Sequence, residues 1–223
     1  MKVIVLTSGG LDSATCLAKA IKMYGADEVV ALNTYYGQKH DKEIECASKL
    51  ADYYKVGYLK MDLAQVMKYS DCTLLKGNGD IEEKPYETQI QEHGTVSTYV
   101  PFRNGVLLSV AAAIALSVGA SEVWYGAHKD DAAGDVYPDC SAEFAAYMND
   151  AIYEGSGKRV VLYAPFINKD KAGVVKEGLE LGVPYEMTWS CYEGGEKPCG
   201  KCGTCIDRAR AFKANGIEDP LYG

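Results

Sequence analysis

The stretch VIVLTSGGLDSATCLAKAI, residues 3–21, decides the fold class of this chain. It opens with the apolar run VIVLT (3–7), which is typical of a short, buried β-strand. A glycine pair follows, and from Ala14 to Ile21 apolar residues then recur at the i, i+3, i+4, i+7 spacing of a helix. A strand, a glycine turn and a helix in immediate succession predict the first unit of an α/β protein.

The same alternation continues along the chain. Further strands are predicted at residues 28–36, 57–63, 122–127 and 159–166, with helical patterns between them. The strands are apolar runs rather than alternating patterns, which indicates a sheet covered on both faces. The sequence therefore predicts a doubly wound parallel sheet. Residues 68–98 are polar and glycine-bearing, and they are predicted to form a long functional or mobile loop.

Composition limits the partners and the compartment. The chain has 223 residues, of which 48% are hydrophobic, enough for one large domain or one domain with a small appendage. Its net charge of −8 disfavours nonspecific nucleic-acid binding, so no nucleic-acid partner is expected. The first apolar run leads directly into the glycine loop and is not a signal peptide. The longest apolar stretch, VLLSVAAAIALSVGA, is too short to span a membrane. We therefore expect a cytoplasmic protein without a membrane segment.

The segment SGGLDS, residues 8–13, is built to hold phosphate. Gly9 and Gly10 allow main-chain N–H groups to approach a ligand, and the start of the helix adds an anion-binding end. The loop lacks the Gly-Lys-Ser/Thr ending of a Walker-type phosphate loop. Asp12 would repel a polyphosphate unless a cation intervened, which suggests Mg²⁺. The alternative is a tight strand–helix turn with Ser13 as the helix cap.

The segment CYEGGEKPCGKCGTC near the C-terminus carries four of the eight cysteines. These four are Cys191, Cys199, Cys202 and Cys205. Four thiolates at this spacing suit a closed, tetrahedral structural zinc site with about one ion per chain. The alternatives are a disulfide pair or an iron–sulfur cluster, but a cytoplasmic compartment disfavours the first and the spacing is not that of a ferredoxin. We expect an α/β domain over residues 1–185 and a zinc-binding tail over residues 186–223.

Other polar residues are expected at the same edge of the sheet. Arg103, in YVPFRN (99–104), starts a long apolar helix and would bind phosphate or carboxylate, or else form an exposed helix cap. Lys169 could neutralise a nucleotide phosphate. The segment of residues 126–140 would read a base edge, hold Mg²⁺ or form a solvated acidic loop. Its carboxylates are Asp130, Asp131, Asp135 and Asp139. A single histidine there, His128, is weak support for general-base chemistry.

SGGLDS resembles the pyrophosphate-binding loop of the N-type ATP pyrophosphatases. Together with YYGQKH, YVPFRN, YPDCSAEF and the cysteine segment, all in one order, it resembles the QueC family, the 7-cyano-7-deazaguanine synthases of queuosine and archaeosine biosynthesis. The resemblance implies an adenine nucleotide alpha hydrolase-like fold. It also implies an ATP-dependent ligase that converts 7-carboxy-7-deazaguanine and ammonia to the nitrile, with zinc, Mg²⁺ and a homodimer.

The resemblance also implies the site residues. Asp12, Arg103 and Asp139 are the expected catalytic residues, and the four cysteines are the expected zinc ligands. The expected ATP-binding residues are Thr7, Ser8, Gly9, Gly10, Leu11, Asp12, Ser13 and Lys169. Two other functions remain open at this point. One is a related adenylating enzyme that transfers the activated acid to another amine, and the other is a non-catalytic nucleotide- or RNA-binding zinc module.

Overall fold

The structure is a computed structural model that describes residues 1–93, 96–133 and 136–222. Its strands are β1 (Val3–Leu6), β2 (Val29–Tyr35), β3 (Gly57–Asp62), β4 (Glu122–Trp124) and β5 (Val161–Tyr163). They form one five-stranded parallel sheet in the order β3-β2-β1-β4-β5. The chain builds outward from β1 in one direction and then, with β4, in the other. The predicted doubly wound parallel sheet is thereby confirmed.

Helices follow the strands in the predicted alternation. The α-helices of the described residues are α1 (Leu11–Tyr24), α2 (Lys42–Tyr54), α3 (Ala64–Met67), α4 (Tyr86–His93), α5 (Arg103–Val118), α6 (Lys129–Ala132), α7 (Ala142–Gly155), α8 (Lys171–Glu180) and α9 (Gly203–Ala214). Local signals set two of their starts, since Ser141 caps α7 and Asp170 caps α8 with side-chain oxygens. None of these helices is long and apolar enough to cross a lipid bilayer.

The sheet has a hydrophobic layer on each face. Side chains alternate along β1, so Val3 and Val5 pack with α1, α8 and α9, whereas Ile4 packs with α5 and α7. All three side chains are fully buried. The predicted coverage of both faces is wrong for the outer strands, where Leu59 of β3 and Val161 of β5 are 37% and 42% exposed. Edge strands have one neighbour only, and helices cover them incompletely.

The prediction of a long loop over residues 68–98 is wrong in part. Helix α4 lies within it and begins directly after Pro85, whose fixed φ suits the start of a helix. Earlier in the segment, Leu74, Leu75 and Ile81 are buried and pack with Cys191 and other residues of the cysteine segment. The segment therefore packs against the cysteine segment. Its few apolar residues are too irregularly spaced to produce a helix or strand pattern.

The C-terminal region shares the main core. Phe212 of α9 packs edge-to-face on Tyr185 with ring centroids 5.2 Å apart. Arg208, buried to 1% exposure, pairs with both oxygens of Asp219 at 2.6 and 2.9 Å and donates to the hydroxyl of Thr188 at 2.7 Å. The core is thus continuous across residue 185, and the division into residues 1–185 and 186–223 stays a prediction.

Candidate active site

A cavity of about 230 Å³ opens at the carboxyl ends of β1, β2 and β4. The direction of winding reverses between β1 and β4, so the cavity lies at the switch point where open parallel sheets bind ligands. The predicted site residues that line it are Thr7, Ser8, Gly10, Leu11, Asp12, Ser13 and Arg103. The predicted residues that do not line it are Gly9, Asp139 and Lys169.

The glycine loop is shaped by a close approach to α2. Gly9 has φ +99°, and a Cβ there would lie 2.0 Å from the carbonyl oxygen of Glu43, so no other residue fits. On the cavity side, the hydroxyls of Ser8 and Ser13 are 3.1 Å apart. Helix α1 begins after Gly10 without a side-chain cap, and the alternative that Ser13 caps it is wrong. The first-turn N–H groups of α1 are therefore available to an anion.

A buried charge cluster stands at the start of α1. Lys171 Nζ lies 3.2 Å from Asp12 Oδ2, and His128 Nε2 lies 3.5 Å from Asp12 Oδ1 and 3.3 Å from Asp131 Oδ1. Burial alone would raise the pKa of Asp12, but Lys171 and His128 hold it well below its usual range. Burial lowers the pKa of His128, but the two carboxylates raise it above its ordinary value. The cluster therefore favours an ionised Asp12 and places a lysine in the cavity beside the start of α1.

Lys171, not Lys169, is the lysine of this cavity. Lys169 Nζ pairs with Glu177 at 2.5 Å, and its side chain is 42% exposed outside the cavity. Lys171 is 13% exposed and is the first residue of α8, after the cap Asp170. The sequence carried a usable signal for this choice. An aspartate cap in NKDK (168–171) places Lys171 in the first turn of a helix that begins at the carboxyl edge of the sheet.

Arg103 lines the cavity together with two residues that no sequence pattern marks. Its guanidinium stacks over the ring of Tyr36, 5.3 Å from the centroid, and donates to the Tyr36 hydroxyl at 3.3 Å. Glu43 of α2 also lines the cavity. Burial raises the pKa of Glu43 to about 7, although Arg103 lowers it. This carboxyl group can therefore exchange a proton near neutral pH.

Tyrosine hydroxyls form a third part of the wall, which the sequence analysis also missed. The hydroxyl of Tyr192 lies 2.9 Å from that of Tyr86 and 3.3 Å from that of Tyr137, and Tyr137 bonds Thr98 at 2.9 Å. These tyrosines come from α4, the segment before Pro138 and the cysteine segment. Seventeen tyrosines are spread along the chain, and no local pattern marks the few that converge here.

The acidic segment is divided between several roles. Asp139 is buried outside the cavity lining and accepts the N–H of Asn104 at 2.7 Å. A residue distant in sequence therefore caps the start of α5, the helix that begins at Arg103. Asp130 accepts the N–H of Lys171 at 2.8 Å. Of the predicted carboxylates, only Asp131 lines this cavity; Asp135 lies outside the described residues.

The four cysteines of the tail come together in one cluster. The sulfur atoms of Cys191, Cys199, Cys202 and Cys205 all lie within 4.8 Å of one another. In a tetrahedral site with Zn–S bonds of about 2.3 Å, the sulfur atoms are about 3.8 Å from one another. The sulfur atoms of Cys199 and Cys205 are 4.0 Å apart, close to that separation. Cys202 is the N-cap of α9 and Cys205 lies in its first turn, where the helix dipole favours thiolates. The cluster could bind a metal ion.

Residues adjacent to the cysteine cluster form part of the cavity wall. Ser190 and Tyr192 flank Cys191, Thr204 precedes Cys205, and all three line the cavity. A Cβ on Gly203 would lie 2.6 Å from the Tyr86 ring, so glycine lets the start of α9 pack against α4. The main-chain N–H of Trp189 donates to Gly9 at 3.0 Å. The tail is therefore joined to both the glycine loop and the tyrosine wall.

Comparison with known proteins decides which family this arrangement represents. The model of the family described as "Queuosine biosynthesis protein QueC" matches residues 2–216. The chain belongs to the QueC family. Among QueC relatives, a 7-cyano-7-deazaguanine synthase of Archaeoglobus fulgidus is 46% identical over 222 residues, covering 99% of this chain and 90% of its own. A 7-cyano-7-deazaguanine synthase 1 of Colwellia psychrerythraea is 42% identical over 220 residues, covering 99% and 97%.

Solved structures agree on the fold. An NMN synthetase from Francisella tularensis matches with a TM-score of 0.54 and 14% identity, over 97% of this chain and 78% of its own. The U34-tRNA thiolase NcsA from Methanococcus maripaludis matches with a TM-score of 0.55 and 16% identity, over 96% and 67%. At such identities the likeness concerns the fold alone. The family and the adenine nucleotide alpha hydrolase-like fold that the sequence predicted for this QueC member are confirmed.

Proposed function

We propose that this chain converts 7-carboxy-7-deazaguanine, ammonia and two molecules of ATP to 7-cyano-7-deazaguanine, two AMP and two pyrophosphates. The cavity at the switch point is the observation that carries this proposal, because an uncapped helix N-terminus and Lys171 meet there. The names of the 46% and 42% identical relatives specify the product, 7-cyano-7-deazaguanine.

ATP would bind with its phosphates on the glycine loop. Main-chain N–H groups at the start of α1, with the hydroxyls of Ser8 and Ser13, would hold the leaving pyrophosphate. Lys171 and Arg103 both line the cavity and would add positive charge to it. Asp12 Oδ1 is buried without a hydrogen-bond partner among the described residues, and it would hold Mg²⁺. When bound, Mg²⁺ neutralises charge on the pyrophosphate.

The four cysteines would hold one zinc ion. Four sulfur ligands leave no open position for substrate, so the ion would be structural. It would supply the cross-link that fixes the segment around Cys191 to the start of α9, and with it the wall formed by Ser190, Tyr192 and Thr204. We also propose, from the family, a cytoplasmic homodimer. Analytical ultracentrifugation should give a mass of twice 24.2 kDa.

The reaction requires the removal of two oxygen atoms from one carbon. A carboxylate oxygen would attack the α-phosphorus of ATP, the bond to pyrophosphate would break, and an acyl-adenylate would form. Ammonia would then add to the acyl carbon, AMP would leave with the first oxygen, and one proton would be lost. The amide oxygen would attack a second ATP in the same way. Loss of a second AMP and of two N–H protons would leave the nitrile.

Glu43 would accept protons from nitrogen in these steps. It lines the cavity, and its pKa of about 7, raised by burial, suits proton exchange near neutral pH. Arg103 beside it would keep the ionised form accessible as the proton leaves. Asp139 would act indirectly, through the position of α5.

The experiment that tests this function follows the oxygen atoms. The acid carrying ¹⁸O in its carboxylate, incubated with ATP and ammonium, should give nitrile by mass spectrometry and ¹⁸O in the phosphate of both AMP molecules. The synthetic amide should be converted without ammonium at one ATP per turnover. Release of ADP, with label in inorganic phosphate, would contradict cleavage between the α and β phosphates. Product formation with other amines but not with ammonium would contradict the nitrile assignment.

A further inference from the structure

A second cavity, of about 600 Å³, adjoins the nucleotide cavity. It lies between α4 and α9, with α6 and the start of α8 beside them. Three residues line both cavities, namely Tyr86, Asp131 and Lys171. The volume is within the range of small-molecule binding sites, about 300–1,000 Å³. The proposed function accounts for the first cavity and leaves the second without a ligand.

The apolar part of this wall suits a flat ring. Apart from Tyr86 and Ile90, its apolar residues are four alanines and one valine, so few side-chain atoms project into the cavity. These residues are Ala133, Val136, Ala172, Ala211 and Ala214. A planar heterocycle can make contact with such a surface on both of its faces, and aromatic and small apolar side chains are typical of sites for planar ligands.

Among the carboxylates on the described part of this wall, Asp207 is the one that is both partly buried and only weakly paired. Asp130 and Asp170 accept backbone N–H groups of α8, and Asp131 lies against His128. Glu87 is 69% exposed at the rim. Asp207 of α9 is 33% exposed, and its only ion pair among the described residues is with Arg210, a long 3.6 Å.

A buried histidine also lines this cavity. His128 is 1% exposed, and its Nδ1 has no hydrogen-bond partner within residues 1–93, 96–133 and 136–222. Buried polar atoms are rarely left unpaired, because their desolvation is then uncompensated. The Nε2 atom of the same ring faces Asp12 and Asp131, so the imidazole connects this cavity with the nucleotide cavity. The histidine therefore lies at the boundary between the two cavities.

We propose, on the basis of the proposed function, that the second cavity holds the deazaguanine ring and that Asp207 recognises its guanine edge. The reacting carboxylate must reach the α-phosphorus of an ATP in the first cavity, so it belongs at the junction beside Lys171. The ring then extends between α4 and α9. Its N1–H and 2-amino group are two parallel donors, which a carboxylate accepts in bidentate fashion. Asp207 is therefore the specificity-determining residue for the 2-amino group.

The test compares the acid with its analogue lacking the 2-amino group. Binding is measured by calorimetry on the zinc-loaded, full-length protein with a nonhydrolysable ATP analogue. The wild type should bind the acid about tenfold to hundredfold more tightly than the analogue, since a hydrogen bond to a charged acceptor is lost. Asp207→Asn should weaken binding of the acid by a similar factor and abolish the discrimination, with ATP affinity unchanged. Glu87→Gln, on the exposed rim, is the matched control and should behave as the wild type.

A second pair of variants tests the cavity without Asp207. Ala214 lines the cavity at the exposed end of α9, whereas Ala209 is exposed on the same helix and does not line it. Ala214→Trp should block the ring and weaken binding of the acid at least tenfold, and Ala209→Trp should not. If Asp207→Asn loses its metal, these two variants still test whether the ring occupies the second cavity.

The outcomes separate this inference from the proposed function. If the wild type neither binds nor converts the acid, the proposed function is wrong. If it converts the acid but Asp207→Asn keeps full discrimination, Asp207 does not read the guanine edge. Equal binding of the acid by Ala214→Trp and Ala209→Trp would place the ring elsewhere.

Discussion

Replacement of Lys171 by methionine is the sharpest test of the nucleotide site. Methionine keeps the length of the side chain and removes its charge, 3.2 Å from Asp12 and at the proposed position of the phosphates. A unit charge at that distance interacts by about 5 kcal/mol at an effective dielectric constant of about 20, which is an upper bound. Contacts to charge that develops in a transition state are worth about 3–4 kcal/mol. We therefore expect kcat to fall about a hundredfold to a thousandfold.

The matched control is Lys169→Met, two residues earlier in the chain. The Lys169 side chain pairs with Glu177 and is 42% exposed. Exposed ion pairs contribute about 0–1 kcal/mol to stability. This variant should keep wild-type turnover. Pyrophosphate release at saturating ATP is the assay, with thermal unfolding to verify the fold of each variant. A Lys171→Met enzyme within threefold of the wild type, or a larger loss in Lys169→Met, would refute the assignment of Lys171.

Three further predictions concern stability, metal and pH. Asp219→Ala should lower the free energy of unfolding by about 3–5 kcal/mol, because Arg208 stays buried without its carboxylate; denaturant unfolding against the exposed Glu218→Ala measures this, and equal stabilities would contradict it. Cys202→Ser should reduce the metal content from about one per chain to near zero and lower Tm, whereas full occupancy by elemental analysis would exclude the cluster as a metal site. Folding raises the pKa of Glu43 from 4.5 to about 7, so the folded protein binds this proton more tightly than the unfolded chain does. The resulting stabilisation of the fold is complete below pH 4.5 and is lost as the pH rises through 7. Relative to Glu43→Gln, the wild type should lose up to about 3 kcal/mol between pH 4.5 and 8, and a pH-independent difference in unfolding free energy would show that Glu43 keeps an ordinary pKa.

The sequence predicted those features that depend on local pattern. The glycine loop, the order of strands and helices and the spacing of the cysteines are all readable over short windows, and the fold and family follow from them. Arg103 was also identified, because it starts a long apolar helix and its guanidinium can bind phosphate or carboxylate. Helix α4 was missed because it is short and polar and has no periodic apolar face. It contacts the rest of the protein through Gln89, which is buried, and Ile90, which packs against the core.

Features that depend on tertiary approach were not predictable in this way. Lys169 and Lys171 are two residues apart, and the choice between them depends on where α8 begins. Asp139 looks like a site carboxylate in sequence, yet it serves as a remote cap for α5. Glu43 became a candidate only through burial beside Arg103, which no spacing along the chain indicates.

The joining of the cysteine segment to the cavity wall bears on the order in which the protein becomes active during synthesis. All five strands precede residue 164, whereas Ser190, Tyr192 and Thr204 emerge later, and Asp219, which fixes Arg208, later still. A nascent chain that ends before Ser190 therefore lacks part of the cavity wall, and it also lacks α9, which covers one face of the sheet. We therefore expect chains cut short within the cysteine segment to be inactive, so that ATP turnover begins only after α9 has packed onto the core.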